Sequence, residues 1–326
     1  MSTKTVFVHI GAHKTATTYL QALMLKNKQV LKEINIDYLG RCTSNSHAPG
    51  ESIPKAVHLY LDSFINNSTI ENIIISDEDL CHNRNNICVE FVRRYRRKAR
   101  IKVICYVREI VSYYTSFYTF ASMYLSDSSL EPKYSSFIEY LDRQKAYAST
   151  HHLLLELIDI IGRNNVVVRP FERRLFHNGS IESDFFGIIG CNNYRFQGVS
   201  IQNASISLKI AEKLYYALSL TRDIAVRRIV KDRILRDHSD AHEDASTITV
   251  AELDEIYARY RSYEEKNIEL FFGNNKYVFD KQYTHWRSKI EASSLDRFLG
   301  PSEKKYIFEL VYSAQEEITR QARNKC

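Results

Sequence analysis

Lys14 sits where chemistry is most concentrated in this chain, in Gly11-Ala12-His13-Lys14-Thr15-Ala16-Thr17-Thr18. An apolar run, Thr5-Val6-Phe7-Val8-His9-Ile10, precedes it, and Leu20, Leu23, Met24, Leu31 and Ile34 follow at helical spacing. A strand that breaks into a short loop and then opens a helix turns backbone N–H groups and the positive end of the helix dipole toward one point. Lysine adds a full charge there, and Thr15, Thr17 and Thr18 add hydroxyls. The pattern predicts a site for a phosphate-bearing nucleotide. It is not the usual ATP loop, which needs Gly-x-x-x-x-Gly-Lys-Ser/Thr; Lys14 lies three residues after Gly11 and no glycine immediately precedes it.

Two other places carry matching chemistry. Arg100-Ile101-Lys102-Val103-Ile104-Cys105-Tyr106-Val107 reads as a buried strand ended by Arg108, and Glu109 to Met123 reads as helix, free of Gly and Pro. Ser116 lies eight residues beyond Arg108, about two helical turns, so Ser112 and Ser116 share the face that looks back at the arginine. A guanidinium fork with a hydroxyl suits a second phosphate. Between these sites, Asn72-Ile73-Ile74-Ile75-Ser76 runs into Asp77-Glu78-Asp79. Glu78 is the leading candidate for a general base, with His13 and His82 as others. The structural alternative is that Ser76 or Asp77 caps the next helix, with Glu78 and Asp79 favouring its positive end.

The order His13-Lys14-Thr15-Ala16-Thr17-Thr18-Tyr19-Leu20 resembles the 5′-phosphosulfate loop of sulfotransferases that use 3′-phosphoadenosine-5′-phosphosulfate (PAPS), typically Pro-Lys-Ser/Thr-Gly-Thr-Thr-x-Leu. His13 replaces the proline and Ala16 the glycine. Arg108 with Ser116 resembles the family's 3′-phosphate clamp, and Ser76-Asp77-Glu78 the Ser-x-Glu of bacterial, glycan-directed members. Arg169-Pro170-Phe171-Glu172 and Asn203-Ala204-Ser205 are similar to later family motifs, with Arg169 expected to pair within the fold. No late Arg-Lys-Gly triplet closes the 3′-phosphate site. The resemblance implies PAPS as co-substrate and PAP (3′,5′-adenosine bisphosphate) as product, held by His13, Lys14, Thr15, Ala16, Thr17, Thr18, Arg108 and Ser116. It implies Lys14 and Glu78 as the catalytic pair, no metal, and a carbohydrate or glycolipid acceptor. Two other readings remain open: an ATP-dependent phosphotransferase with Asp77 or Glu78 as a metal-water ligand, and a catalytically inactive nucleotide-binding interaction protein.

These residues need a scaffold. Strands are expected near 5–10, 36–40, 72–76, 101–107 and 165–169, and helices near 17–34, 52–66, 86–99, 109–125 and 135–162. That alternation predicts an α/β fold, a doubly wound, mainly parallel sheet flanked by helices. Lys14, Glu78 and Arg108 all follow strand ends, where ligands bind in such sheets. The expectation is a single domain, 1–326, with an α/β core over 1–204 and a helical extension over 205–326 as the acceptor-side region. In that extension Ile210, Ala211, Leu214, Tyr215 and Leu218 form one apolar stripe, and Ile307, Leu310, Val311, Ala314 and Ile318 another.

At 326 residues, 44% hydrophobic and 26% charged, the chain can bury a large core, and no linker or repeat divides it. Its apolar runs are too short to span a membrane. Cys42, Cys81, Cys88, Cys105, Cys191 and Cys326 show no Cys-x-x-Cys spacing. Together these predict a cytoplasmic protein with reduced thiols and no zinc site. His151-His152 and the pair His238 and His242 read as surface residues. Net charge is only +6, and the basic runs Arg93–Lys98 and Arg222–His238 read as solvated helix faces. An anionic glycan or peripheral contact with a membrane surface is the functional alternative. Nucleic acid is not expected, because no binding motif accompanies the charge.

Overall fold

The computed structural model describes residues 4–41, 53–82, 86–128, 130–131, 136–143, 146–191, 194–200, 206–237, 248–273, 278–279, 283–292 and 298–323. Five strands form one sheet: β1 (Thr5–Gly11), β2 (Ile36–Gly40), β3 (Asn72–Ser76), β4 (Arg100–Val107) and β5 (Val166–Pro170). Every pairing is parallel, in the order β2-β3-β1-β4-β5. The chain leaves β1 toward β2 and leaves β4 toward β5, so the connections diverge between β1 and β4. That divergence opens a crevice at their carboxyl ends.

Alternation of side chains along each strand divides the core between the two faces. Phe7, Ile36, Tyr38, Ile74, Ile104 and Tyr106 pack on one face with Leu20, Leu23 and Met24 of α1 (Thr17–Lys26), Leu31 of α2 (Lys28–Glu33), and Phe185 and Phe186 of α8 (Ile181–Ile188). Val6, Val8, Ile73, Ile75, Val103 and Cys105 point the other way and are fully buried. On that side lie α4 (Ile87–Tyr95) and α7 (Ala146–Ile161); α3 (Lys55–Asn67) connects β2 to β3.

The helix expected over 17–34 is broken at Asn27. This buried residue spends its amide on other partners: Nδ2 donates to Leu23 O (2.8 Å) and Gln197 O (2.9 Å), and Oδ1 accepts from Gln197 N (2.8 Å). A side chain competing for backbone carbonyls ends a helix.

A buried ionic network fastens α8 to the sheet. Asp184 accepts from Arg169 (Nη2, 2.5 Å; Nε, 3.1 Å), from Tyr106 Oη (2.8 Å) and from His177 N (3.0 Å). Arg169 therefore pairs within the fold, as expected from its sequence. Burial works against the Asp184 charge, but bonds from Arg169, His177 and Tyr106 outweigh it and hold the carboxyl below its ordinary value. Its stabilising contribution is complete above the ordinary carboxyl pKa and is lost as pH falls through the depressed one. Asp184→Asn is expected to destabilise by about 2–4 kcal/mol, toward the lower end because solvent screens the partly exposed Arg169. Urea titration at neutral and acid pH checks both size and sign: the variant's deficit should shrink in acid.

The chain forms two compact units interleaved in sequence. The first comprises Met1–Glu109, Lys145–Gln202 and Ser262–Asp280, and contains the sheet. The second comprises Ile110–Gln144, Asn203–Arg261 and Lys281–Cys326. Thus the second takes up near the expected boundary at 204, but it also claims 110–144, while the first claims 262–280. The helix expected over 135–162 is correspondingly two, α6 (Phe137–Arg143) and α7, one in each unit.

The second unit is helical: α5 (Ile110–Ser126), α6, α9 (Leu208–Leu220), α10 (Ile224–Asp237), most of α11 (Val250–Phe272), α12 (Tyr283–Ala292) and α13 (Pro301–Arg323). Ile210 and Leu214 meet Val226, Val230, Ile234, Ile307, Val311 and Ala314 in one cluster, so the second expected stripe and part of the first form a core. Tyr118 packs with Phe137, Tyr140 and Tyr215 in an aromatic core. Part of the second basic run is internal: buried Arg227 donates to Ser128 O and Leu130 O, Lys231 pairs with Asp127, and Arg233 with Glu317. Arg93, Arg94 and Lys98 of the first run pair with Glu156 and Asp62. Those acidic partners occupy charges that an anionic glycan would need. His151 is buried, not superficial, with Nδ1 2.7 Å from Asn267 Oδ1. Among the described residues no helix is long and apolar enough to cross a membrane. Asn203, Ala204, Ser205, His238, His242, Cys42 and Cys326 lie outside the described residues.

Candidate functional site

The loop after β1 is built by its backbone. The β1–β4 register slips between His9 and Gly11, and Gly11 then adopts φ +87°. A Cβ at Gly11 would lie 3.2 Å from Glu78 Cβ and 3.4 Å from Glu78 Cα, so only glycine lets the loop pass this closely. Lys14 (φ 65°) and Ala16 (φ 60°) are also left-handed. For these two the conformation costs about 1–2 kcal/mol each. Ala16 thus takes the backbone conformation that glycine would supply without strain. Alternation of left- and right-handed residues turns successive N–H groups into a concavity that suits an anion.

Helix α1 begins at this turn with no side chain capping it and no acid in its first turn. Thr15 Oγ1 donates to Ala12 O at 2.5 Å, and the Thr17 hydroxyl lies 3.4 Å from the same carbonyl. Both residues are buried and brace the loop from within, whereas Thr18 is exposed. Beneath them, His9 is fully buried, its Nδ1 2.8 Å from Ser76 Oγ. Burial lowers its pKa to about 3, so it is a neutral floor to the site.

Arg108 joins the loop directly. It follows β4, and its Nη1 donates to Lys14 O at 3.1 Å. Its guanidinium also lies 5.8 Å from the Phe171 ring centroid. Burial lowers the Lys14 pKa, and the nearby Arg108 charge lowers it further. Burial likewise lowers that of Arg108, against the pull of Glu109 and Glu172. Two cations crowded at one loop gain from an anion placed between them.

Glu78 opens a short 3₁₀ turn, Glu78–His82, at the end of β3. Asp77 supplies the cap, its Oδ1 accepting from Asp79 N at 3.2 Å, and Ser76 is engaged with His9. Capping therefore falls to Asp77, and the Glu78 carboxylate takes side-chain partners instead. Gln21 Nε2 donates to Glu78 Oε2 (2.7 Å) and to Ser76 O (3.1 Å), and Arg41 Nη1 lies 3.3 Å from Glu78 Oε1. His13 Nε2 is 3.7 Å from Asp79 Oδ1.

His13, Lys14, Thr15, Ala16, Thr17, Thr18, Glu78 and Arg108 therefore gather on one rim of the first unit. Ser116 lies on α5 of the second unit, where its carbonyl accepts from Thr119 Oγ1 at 3.1 Å. Sequence reasoning missed Gln21 and Arg41. Gln21 stands one turn after Thr17, on the same helix face, so helical spacing held a signal. Arg41 immediately follows β2, and the strand-end rule that found Lys14, Glu78 and Arg108 would have found it too.

A separate cleft of about 920 Å³ lies in the second unit, lined by Glu139, Glu212, Tyr215, Tyr216, Arg222 and Phe298 among others. It contains none of the expected residues, and the loop chemistry outweighs cavity size in locating the site. Compared with models of known protein families and with curated proteins, the sequence matches none.

Proposed function

We propose that this protein is a sulfotransferase that moves a sulfuryl group from PAPS to a hydroxyl of a carbohydrate or glycolipid. The observation that carries the reading is the Arg108–Lys14 hydrogen bond, which ties the two sequence motifs together at the β1/β4 crevice. The left-handed turn, the uncapped start of α1 and the Lys14 charge suit the 5′-phosphosulfate end of such a donor. Arg108 is assigned to the 3′-phosphate end. PAPS supplies the activated sulfuryl group. Lys14 and the loop N–H groups offset charge that grows on the 5′-phosphate as the sulfur–oxygen bond breaks. Glu78 takes the acceptor proton while the acceptor oxygen bonds to sulfur, and the electron pair of the broken bond leaves on PAP.

The phosphotransferase alternative is less well supported. It needs a carboxylate after β3 free to hold a metal-bound water. Here an arginine already lies against Asp77, Glu78 and Asp79, and Asp77 caps a turn.

Calorimetric titration tests the reading. PAP is expected to bind in EDTA and to bind more tightly than ATP with magnesium. Arg108→Ala should weaken PAP by about 10- to 100-fold, the worth of one charge-assisted hydrogen bond. Equal weakening of PAP and adenosine 5′-phosphosulfate, which lacks the 3′-phosphate, would remove Arg108 from the 3′ end.

A further inference from the structure

Arg41 has no role in the reading above beyond disfavouring a metal, yet its geometry is among the most constrained at the site. Its Nη2 lies 2.7 Å from Asp79 Oδ2 and 3.4 Å from Asp77 Oδ1, while Nη1 lies 3.3 Å from Glu78 Oε1. Burial opposes the Arg41 charge, but the three carboxylates more than compensate and raise its pKa. The guanidinium is therefore a permanent cation here.

The three carboxylates do not do the same work. Asp77 is fully buried and caps the turn that begins at Glu78. Asp79 takes the shortest Arg41 contact and lies near His13. Glu78 is held on each carboxylate oxygen by a different element, Arg41 after β2 on Oε1 and Gln21 of α1 on Oε2. Its Cβ meanwhile stands where Gly11 leaves no room for a side chain. The two carboxylate oxygens are thus held from two directions, with the loop backbone passing close to the Glu78 stem. Without the guanidinium, three adjacent negative charges would repel one another, and Glu78 would keep only its Gln21 hold of these two.

We propose that Arg41 is a positioning residue for Glu78, a built-in cation that aims the carboxylate at the Lys14 loop and offsets its acidic neighbours. A planar fork is required, because one nitrogen serves Glu78 while the other serves Asp79. The consequence for turnover rests on the sulfotransferase reading; the hold on Glu78 does not.

The test uses Arg41→Gln and Arg41→Lys in the full chain, with thermal unfolding to confirm that each folds. Carbodiimide with glycine ethyl ester labels loose carboxyls, and peptide mass spectrometry reads Glu78 against exposed Glu90. Labelling at Glu78 should rise about tenfold in Arg41→Gln, the cost of leaving a largely buried carboxylate without its cation, and less in Arg41→Lys, with Glu90 unchanged. PAPS-to-PAP conversion, with neutral oligosaccharides and glycolipids as acceptors, should fall about tenfold in Arg41→Gln and recover partly in Arg41→Lys. In a Glu78→Gln background, Arg41→Gln should cost less than about twofold, because the two act as one unit. Unchanged Glu78 labelling overturns the proposal, and so does full additivity in the double variant. If the unmodified protein neither binds PAP nor converts PAPS, the sulfotransferase reading fails instead, and labelling still decides whether Arg41 holds Glu78.

Discussion

Lys14→Ala is expected to lower PAPS turnover by about 10²–10³-fold, the cost of removing one preorganised charge donor from a developing anion. Lys14 has a depressed pKa in the free protein because burial and Arg108 both disfavour its charge. An anion in the loop reverses that balance, so part of the binding energy is relief of the Lys14–Arg108 repulsion. PAP affinity should then be strongest below the depressed Lys14 pKa and fall as pH rises through it. In Lys14→Ala this alkaline limb should disappear. Calorimetry across pH reads affinity, and conversion of PAPS reads turnover. A variant that retains full turnover would remove Lys14 from the reaction.

Glu78→Gln separates chemistry from binding. Glutamine keeps the size of the side chain and can still meet Gln21, but it cannot accept the acceptor's proton. Turnover should fall by about 10²–10⁴-fold, the range for loss of a general base. PAP affinity should hold or improve, since one negative charge leaves a site for an anion. Arg41 would then keep Asp77 and Asp79 as partners, so the fold should survive. Retained turnover would reassign the base, and His13, 3.7 Å from Asp79, would be the next residue to replace.

What the sequence made legible was local. Strands β1, β2, β3, β4 and β5 were readable to within a residue or so because short apolar runs bounded by Gly, Pro or charge have few other structures open to them. The rule that ligands gather at strand ends places Lys14, Glu78 and Arg108 on one rim from their positions in the sequence. The left-handed turn at Lys14 and Ala16 was not legible, since neither residue type favours it.

Composition and periodicity by themselves determined the α/β alternation, the parallel sheet and the apolar helix stripes, because each depends on residues near one another in sequence. Tertiary structure alone decided the rest. It broke the first helix at Asn27, whose amide partners with Gln197, 170 residues away. It buried the Asp184 network, divided the chain into two interleaved units, and set Arg41 against three carboxylates from another strand's end. The reason is the same in each case: a buried polar group must be satisfied by whatever the fold brings beside it, and that partner is set by topology, not by spacing along the chain.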